Sequence, residues 1–291
     1  KIILLVGDIG FGVFEDFKQE FPRQYFNVGI AEQNSIGVIS GLAKEGFLPI
    51  FYTIIPFLIF RPFEQIRNDL CINRRKVLLV GVGAGLSYGA LGPTHHALED
   101  IAVTSSLPDI SIYVPSSPKM VGEALEEAIN TEQGPAYLRL GKNGESNLKL
   151  DENPGVYWKP IRLSNPGRRI LILTHGPISK VVEEVVDGLD APKLITFGVI
   201  ERIKPFPKIE FYDAIRESKI IISIEENYSS GSQFEKILLA MNEINAPIKV
   251  HQISIPHRFI TEVGSQSELH EILQFDKFNM TKSIKDIIAN A

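Results

Sequence analysis

The sequence has one cysteine, no long hydrophobic run and no basic stripe, and each shortage excludes a class of protein. The single cysteine, Cys71, excludes an internal disulfide and favours a reducing compartment, so we expect a cytoplasmic protein. The longest apolar stretch, residues 50–60, contains Pro56 and is too short to cross a bilayer. The net charge of −5 comes without a basic stripe, so neither nucleic acid nor a membrane is an expected partner.

What the sequence does have is an alternation of short apolar runs with amphipathic stretches over 291 residues. This alternation is typical of parallel βαβ units, and a hydrophobic content of 44% is enough for full cores. We therefore predict an α/β protein with two domains, each a mostly parallel sheet with helices on both faces. A segment rich in Asn, Gly, Pro, Lys and Glu separates them. The predicted domains are residues 1–147 and 168–291, joined by a linker at 148–167.

The individual elements follow from the same runs. Strands are predicted at 2–6, 25–28, 48–53, 76–82, 111–114, 136–140, 169–173, 193–197, 220–224 and 248–255. Helices are predicted at 32–44, 57–71, 118–130, 178–189, 231–241, 265–273 and 280–289, and a further helix is predicted to start near residues 98–100. The sequence begins directly on a strand with no visible signal peptide, and a helix usually covers such a strand. We therefore expect further sequence before Lys1.

The first candidate site is the stretch NVGIAEQN at residues 27–34. A glycine turn ends a strand, and Glu32 follows in the first turn of the predicted helix. Open α/β folds bind ligands at the carboxyl edge of the sheet, where this carboxylate is expected to lie. Glu32 either takes part in chemistry there or only complements the positive end of the helix dipole. This segment alone leaves both interpretations open.

Two other stretches carry weaker signals. The glycines of residues 81–85 do not form a dinucleotide fingerprint, because Leu86 stands where the third glycine of G-x-G-x-x-G belongs. His95 and its neighbour His96 point in different directions on any regular backbone, so at most one of them faces a pocket. No cluster at metal-ligand spacing surrounds them, and we predict no metal site on this chain. Glu225 and Glu226 face opposite sides of a strand, which favours structural roles.

Several ordered segments together resemble the transketolase family of thiamine diphosphate enzymes. The likeness is to the C-terminal section, which a split transketolase carries as its second subunit. Residues 27–34 resemble the family's pyrimidine-domain signature, and residues 52–68 and 92–102 resemble the segments that follow. In the second half, Ile203-Lys204-Pro205-Phe206, Glu225-Glu226 and Gly264-Ser265 resemble the family's C-terminal domain.

The resemblance implies a cofactor and a partner. The family's other half, which carries the magnesium and diphosphate motif, is absent from this sequence. Thiamine diphosphate and Mg²⁺ would therefore be held mainly by an N-terminal transketolase-like subunit, with a homodimer of this chain inside a heterotetramer. No catalytic constellation is evident in the second domain, whose expected role is packing and dimer formation.

The resemblance also implies roles for particular residues. Glu32 matches the glutamate that contacts N1′ of the aminopyrimidine and promotes loss of the thiazolium C2 proton. Such a carboxylate lies in an apolar pocket in this family, where desolvation raises its pKa. Phe57 matches the aromatic residue that stacks on the pyrimidine. Ile30 and Tyr52 fall beside the cofactor in the same match. The catalytic pair is completed by His95, which matches a histidine that hydrogen-bonds the donor ketose.

This sequence departs from the family pattern at residues that contact the sugar substrate. Leu91 replaces an aspartate that reads an acceptor hydroxyl, and Gly83 replaces a second histidine. Lys142 stands for an arginine that grips the sugar phosphate, so it would bind substrate as a point charge without a bidentate fork. Residues 9–12 lack the family's phosphate-binding serine. We therefore expect transfer of a two-carbon ketol unit from a ketose donor to an aldose-type acceptor, with a modified or nucleotide-linked sugar among the candidates.

Two alternatives remain open at this stage. The chain resembles, less closely, a deoxyxylulose-phosphate synthase or the β subunit of a 2-oxoacid dehydrogenase, which share the glutamate and the domain order. The GPTHHAL stretch at residues 92–98 favours the transketolases. A non-catalytic regulatory subunit is the alternative from another class. Retention of Glu32, Phe57 and His95 argues against it.

Overall fold

The structure is a computed structural model that describes residues 1–149, 158–162, 170–189 and 194–290. These residues form two sheets flanked by helices. The strands are β1 Ile2–Val6, β2 Tyr25–Asn27, β3 Leu48–Ile54, β4 Leu78–Val82, β5 Ser111–Tyr113, β6 Ala136–Leu140, β7 Trp158–Arg162, β8 Ile170–Thr174, β9 Ile195–Ile200, β10 Arg202–Lys204, β11 Ile220–Glu225 and β12 Lys249–Ser254. The helices are α1 Glu15–Glu20, α2 Glu32–Lys44, α3 Ile55–Ile59, α4 Phe63–Gln65, α5 Asp100–Ser105, α6 Pro118–Asn130, α7 Ser179–Asp187, α8 Lys208–Arg216, α9 Gln233–Glu243, α10 Gln266–Ile272 and α11 Lys277–Ala289.

Within the described residues, the first sheet has the strand order β10-β5-β6-β4-β3-β1-β2 and the second has β12-β11-β8-β9-β7. All neighbouring strands are parallel except at one edge of each sheet, where β10 and β7 run antiparallel to their neighbours. The predicted α/β class with mostly parallel sheets is confirmed. No helix among the described residues is long and apolar enough to cross a membrane.

The core explains why these segments became strands and helices. Every residue of β4 is buried, as expected for a central parallel strand covered on both faces. On one face of this sheet, Ile36 and Ile39 of α2 are fully buried in the same cluster as Leu5 and Phe51. Each such side chain contributes about 1.5–3 kcal/mol by leaving water. This packing fixes α2 against the sheet and sets the position of its first residue, Glu32.

The predicted helix at 57–71 is wrong as a single element. Pro56 stands in the first turn of α3, and Pro62 precedes α4. A proline lacks the N–H that an uninterrupted helix needs, so the chain breaks at Pro62 and restarts. After α4 the chain continues as a π-helical segment, Ile66–Cys71. The break leaves Arg61 between α3 and α4, at the edge of the sheet.

Four elements were not predicted: α1, α8, β7 and β10. Strand β7 lies within the predicted linker, whose residues 150–157 and 163–167 are outside the described residues. Strand β10 comes from the second half of the chain but pairs with β5 of the first sheet. The domain bounds at 147 and 168 therefore remain a prediction.

Candidate functional site

Glu32 owes its position to a turn between β2 and α2. The side-chain oxygen of Asn27 accepts the Gly29 N–H at 2.9 Å. Gly29 has φ +67°, a left-handed conformation that glycine adopts without steric cost. Helix α2 then begins at Glu32, which is only 5% exposed. The turn thus buries a carboxylate at the carboxyl edge of the first sheet, where the sequence predicted it.

The partner of this carboxylate is Arg61. Nη1 of Arg61 lies 3.0 Å from Oε1 and 3.1 Å from Oε2 of Glu32. The Arg61 guanidinium carbon also lies 3.8 Å from the centroid of the Phe57 ring. The resemblance implied an apolar pocket around Glu32. The structure instead places a cation there, the Arg61 guanidinium, whose side chain is 43% exposed. Sequence reasoning missed this contact, although Phe57 and Arg61 are four residues apart, the spacing of neighbours on one helix face.

Three aromatic rings, those of Phe57, His95 and Tyr88, lie next to the Arg61–Glu32 pair. The ring centroids of Phe57 and His95 are 5.0 Å apart at 73°, and those of His95 and Tyr88 are 6.2 Å apart at 59°. Burial and the nearby Arg61 charge lower the pKa of His95, which favours the neutral imidazole. Its Nδ1 lies 3.0 Å from the Thr94 hydroxyl oxygen. Glu32, Phe57 and His95, predicted from separate segments, are thus brought together through Arg61.

Tyr52 and Lys142 lie on another side of the site. Both line a cavity of about 730 Å³ over one face of the first sheet. The Nζ atom of Lys142 is 4.9 Å from the centroid of the Tyr88 ring. Burial, with the neighbouring Tyr88 and Glu145, raises the pKa of Tyr52 to about 12. Of the remaining predicted positions, Ile30 is 75% exposed, next to the Gly29 turn.

A buried ion pair fixes the loop that carries His95. Arg139 of β6 donates from Nε to Asp100 at 2.9 Å and from Nη2 to the Ala97 carbonyl oxygen at 2.9 Å. The Tyr137 hydroxyl donates to the same Asp100 oxygen at 2.7 Å. Ala97 in turn exchanges backbone hydrogen bonds with Gly85. Sequence reasoning missed this cluster; its signal was an arginine inside the apolar strand AYLRL, where a charge needs a partner.

The second half of the chain holds the other end of this loop. Glu226, at the end of β11, accepts the Leu86 N–H at 3.1 Å and lies 2.7 Å from Nε2 of His270. Glu225, on the opposite side, accepts the N–H groups of Gln233 and Phe234 at the start of α9. Both carboxylates have the structural roles that the sequence predicted.

The residues around Glu32 fit one edge of an aminopyrimidine. A buried carboxylate offers a hydrogen-bonding partner for a ring nitrogen, and the half-buried Phe57 ring offers a flat apolar surface. The exposed Ile30 lies on the same edge and leaves apolar surface to be covered. Among the residues that the structure describes, no group of three or more His, Cys, Asp or Glu side chains is placed to hold a metal ion.

Known sequences share this arrangement of segments. Residues 1–144 match the family model described as transketolase, pyrimidine binding domain. The chain is 32% identical over 239 residues to one subunit of the apulose-4-phosphate transketolase of Actinobacillus succinogenes, covering 82% of this chain and 76% of that subunit. It is 30% identical over 291 residues to the 1-deoxy-D-xylulose-5-phosphate synthase of Alkaliphilus oremlandii, covering 98% of this chain. It spans about half the length of that synthase, 46%.

A solved structure has the same fold over almost the entire chain. A split-gene transketolase, determined as an inactive tetramer of its β chains, superimposes with a TM-score of 0.82. The two chains are 24% identical, and the match covers 98% of this chain and 91% of the other. At this identity the likeness is evidence for the fold.

Proposed function

Because the chain belongs to the transketolase family, as its sequence resemblance predicted, we propose that it is one subunit of a two-chain, thiamine diphosphate-dependent transferase. The reaction is transfer of a two-carbon ketol unit from a ketose donor to an aldose-type acceptor. The observation that carries this proposal is the buried Glu32 carboxylate at the start of α2, grouped with Phe57 and His95.

Each residue of this group has a defined task. Thiamine diphosphate, when bound, supplies the nucleophilic carbon that the protein lacks. Glu32 hydrogen-bonds the aminopyrimidine at N1′ and holds a proton there. The Phe57 ring stacks on the pyrimidine, while Ile30 and Tyr52 exclude water from its edges. His95, whose lowered pKa favours the neutral imidazole, donates a hydrogen bond to the substrate oxygen on which negative charge develops.

Arg61 competes for the same groups. Its guanidinium is planar, contacts one face of Phe57 and donates to both oxygens of Glu32. A carboxylate that accepts hydrogen bonds in this way has fewer free lone pairs for a ring nitrogen. We infer that Arg61 moves away from Glu32 when the cofactor binds, which its partial exposure permits.

A partner chain completes the site. We propose an N-terminal transketolase-like subunit that binds the diphosphate and Mg²⁺, with a homodimer of this chain inside a heterotetramer. The support is that the Actinobacillus relative, which this chain matches over 76% of that relative's length, is itself named as a subunit, and that the related β-chain tetramer is described as inactive. A cytoplasmic location belongs to the same proposal, and the buried thiol of Cys71, whose pKa burial raises to about 11, agrees with a structural cysteine.

The substrate side is proposed from Lys142 and from the relatives. The Actinobacillus enzyme is named for apulose 4-phosphate, a phosphorylated sugar. An ammonium group such as that of Lys142 suits a phosphate as a point charge. Leu91, which is 55% exposed, offers no hydrogen bond where family members carry an aspartate. Phosphorylated and modified sugars are therefore the first acceptors and donors to test.

Titration of thiamine diphosphate in the presence of Mg²⁺ tests the two-chain proposal. We expect tight binding by the mixed chains and weak binding by this chain alone. Calorimetry on the separate and mixed chains measures both. Tight binding by this chain alone would contradict the need for a partner.

A second candidate reaction is favoured by the matches to 1-deoxy-D-xylulose-5-phosphate synthases. Ketol transfer uses a ketose or hydroxypyruvate as donor, and pyruvate is the donor to compare with them. Product analysis of the mixed chains with each donor separates the two. Turnover of pyruvate without turnover of ketoses would assign the chain to the second reaction.

A further inference from the structure

Tyr88 lies beside both of the side chains proposed to bind substrate. Its ring centroid is 6.2 Å from that of His95, and Nζ of Lys142 is 4.9 Å from the same centroid. Tyr88 is therefore a neighbour of both His95 and Lys142. Sequence patterns offered no reason to select this tyrosine, because nothing marks it apart from its neighbours in a glycine-rich loop.

The ring occupies this place because residue 83 is a glycine. Gly83 has φ +95°, and a Cβ atom built on it would lie 2.2 Å from Cε2 and 2.3 Å from Cδ2 of Tyr88. Any side chain at position 83 would displace the ring. Gly83 and Tyr88 therefore form a matched pair, in which the missing side chain of one leaves the space that the other fills.

Backbone hydrogen bonds bring Lys142 to the ring. The N–H groups of Gly83 and Ala84 both donate to the Leu140 carbonyl oxygen, at 2.9 and 3.0 Å. These bonds tie the end of β4 to the end of β6, and Lys142 follows two residues later. The Lys142 ammonium then meets the face of the Tyr88 ring, where the ring's negative charge density attracts a cation.

A lysine without such a contact is a flexible point charge that loses rotamer freedom when it binds an anion. The aromatic face holds the ammonium near one position before the ligand arrives. We propose that Tyr88 is a positioning residue that holds Lys142 through the face of its ring, and that this pair takes an anionic group of the substrate, a phosphate or a carboxylate. The inference deepens the proposed function and rests on it for the choice of substrates.

The first experiment needs no cofactor. The full chain is titrated with inorganic phosphate and followed by ³¹P NMR. We expect Lys142→Met to abolish the interaction and Tyr88→Leu to weaken it about three- to fivefold, the range that an exposed cation–π contact supplies. Tyr88→Phe keeps the ring and should stay within about 1.5-fold of the unsubstituted chain. Displacement of phosphate by acetate would extend the site to carboxylates.

The matched control is another tyrosine with a lysine over its ring. Nζ of Lys18 lies 5.6 Å from the centroid of the Tyr25 ring, on the β2 edge of the same sheet. Tyr25→Leu removes a comparable contact away from the site and should leave phosphate binding unchanged. Gly83→Ala should act like Tyr88→Leu by displacing the ring. Because the positive φ of residue 83 also strains an alanine, the unfolding midpoint of this variant is measured in parallel.

The second experiment uses the mixed chains loaded with thiamine diphosphate. Tyr88→Leu should raise KM for an aldopentose 5-phosphate about three- to fivefold, leaving kcat and the KM for the unphosphorylated aldopentose within about twofold. Equal effects of Tyr88→Leu and Tyr88→Phe, or no effect of Tyr88→Leu, would overturn the proposal, as would a phosphate signal independent of Lys142. If the mixed chains transfer no ketol unit, the proposed function fails, whereas the phosphate titration still decides the role of Tyr88.

Discussion

Arg61 and Glu32 form an ion pair at the centre of the candidate site. One guanidinium nitrogen of Arg61 donates to both carboxylate oxygens of Glu32, at 3.0 and 3.1 Å. The same guanidinium covers Phe57. The two groups proposed to bind the aminopyrimidine are therefore already joined by a third side chain. Cofactor binding as proposed would exchange these contacts, and four measurements test this site and the buried ion pairs of the chain.

Glu32→Gln should abolish proton exchange at C2 of thiamine diphosphate in the mixed chains. A glutamine cannot hold the N1′ proton, and loss of a general acid–base group typically costs about 10²–10⁴ in rate. The exchange is measured by ¹H NMR in D₂O. Glu45→Gln, at the exposed end of the same helix, is the control and should exchange at the normal rate. Normal exchange in Glu32→Gln would remove Glu32 from the proposed role.

Arg61→Met should tighten binding of thiamine diphosphate to the mixed chains. The partly exposed ion pair with Glu32 is worth about 0.2–1 kcal/mol, so its removal should lower the Kd by up to about fivefold. Arg67→Met serves as the control, because Arg67 is exposed and bonds to Asn68 instead. Weaker binding in Arg61→Met would mean that Arg61 supports the cofactor rather than competing with it.

Arg139→Met should lower the free energy of unfolding by about 3–5 kcal/mol, because it leaves the buried Asp100 carboxylate without its counter-charge. Urea unfolding measures the change, with Arg23→Met on the surface as the control. Combining Arg139→Met with Asp100→Asn should cost less than the sum of the two single changes, because no unpaired charge remains. Additive costs would show that the pair is not coupled.

The Glu226–His270 pair should make stability depend on pH. Burial alone would lower the pKa of His270, but the Glu226 carboxylate outweighs burial and raises it above its usual value of 6.5. Burial alone would raise the pKa of Glu226, but His270 and the other hydrogen bonds outweigh it and bring it below 4.5. The stability from His270 is thus complete below about pH 6.5 and is lost as the pH rises through its raised pKa. The stability that Glu226 contributes is lost as the pH falls through its lowered pKa.

We therefore expect the unfolding midpoint to fall as the pH rises above 6.5 in the unsubstituted chain and to change less in His270→Gln. His257→Gln is the control, since His257 is exposed and packs against Tyr228. Thermal unfolding in a series of buffers of equal ionic strength gives the comparison. An identical slope in His270→Gln and in the unsubstituted chain would assign the pH dependence to other groups.

Periodicity predicted the bounds of two helices, and the ordered motifs predicted the family. Helices α2 and α6 begin and end where the pattern placed them, and the transketolase resemblance is confirmed. The pattern did not reveal contacts between distant segments. Periodicity could not pair Arg61 with Glu32 or Arg139 with Asp100, because each pair joins elements that only the fold brings together. The break at Pro62 has a signal in the sequence, a proline inside the predicted helix at 57–71. The roles predicted for the site residues all stay predictions, namely those of Glu32, Ile30, Tyr52, Phe57, His95 and Lys142.

Strand β10 has a practical consequence for anyone who divides this chain. It lies beyond the predicted linker but completes the edge of the first sheet by pairing with β5. A fragment ending at residue 147 would lose this strand and expose the backbone N–H and C=O groups of β5 to other molecules. Open strand edges of this kind pair with one another and aggregate. Expression of the first half alone is therefore expected to give insoluble material, and a soluble fragment would have to carry residues 202–204 as a fused strand.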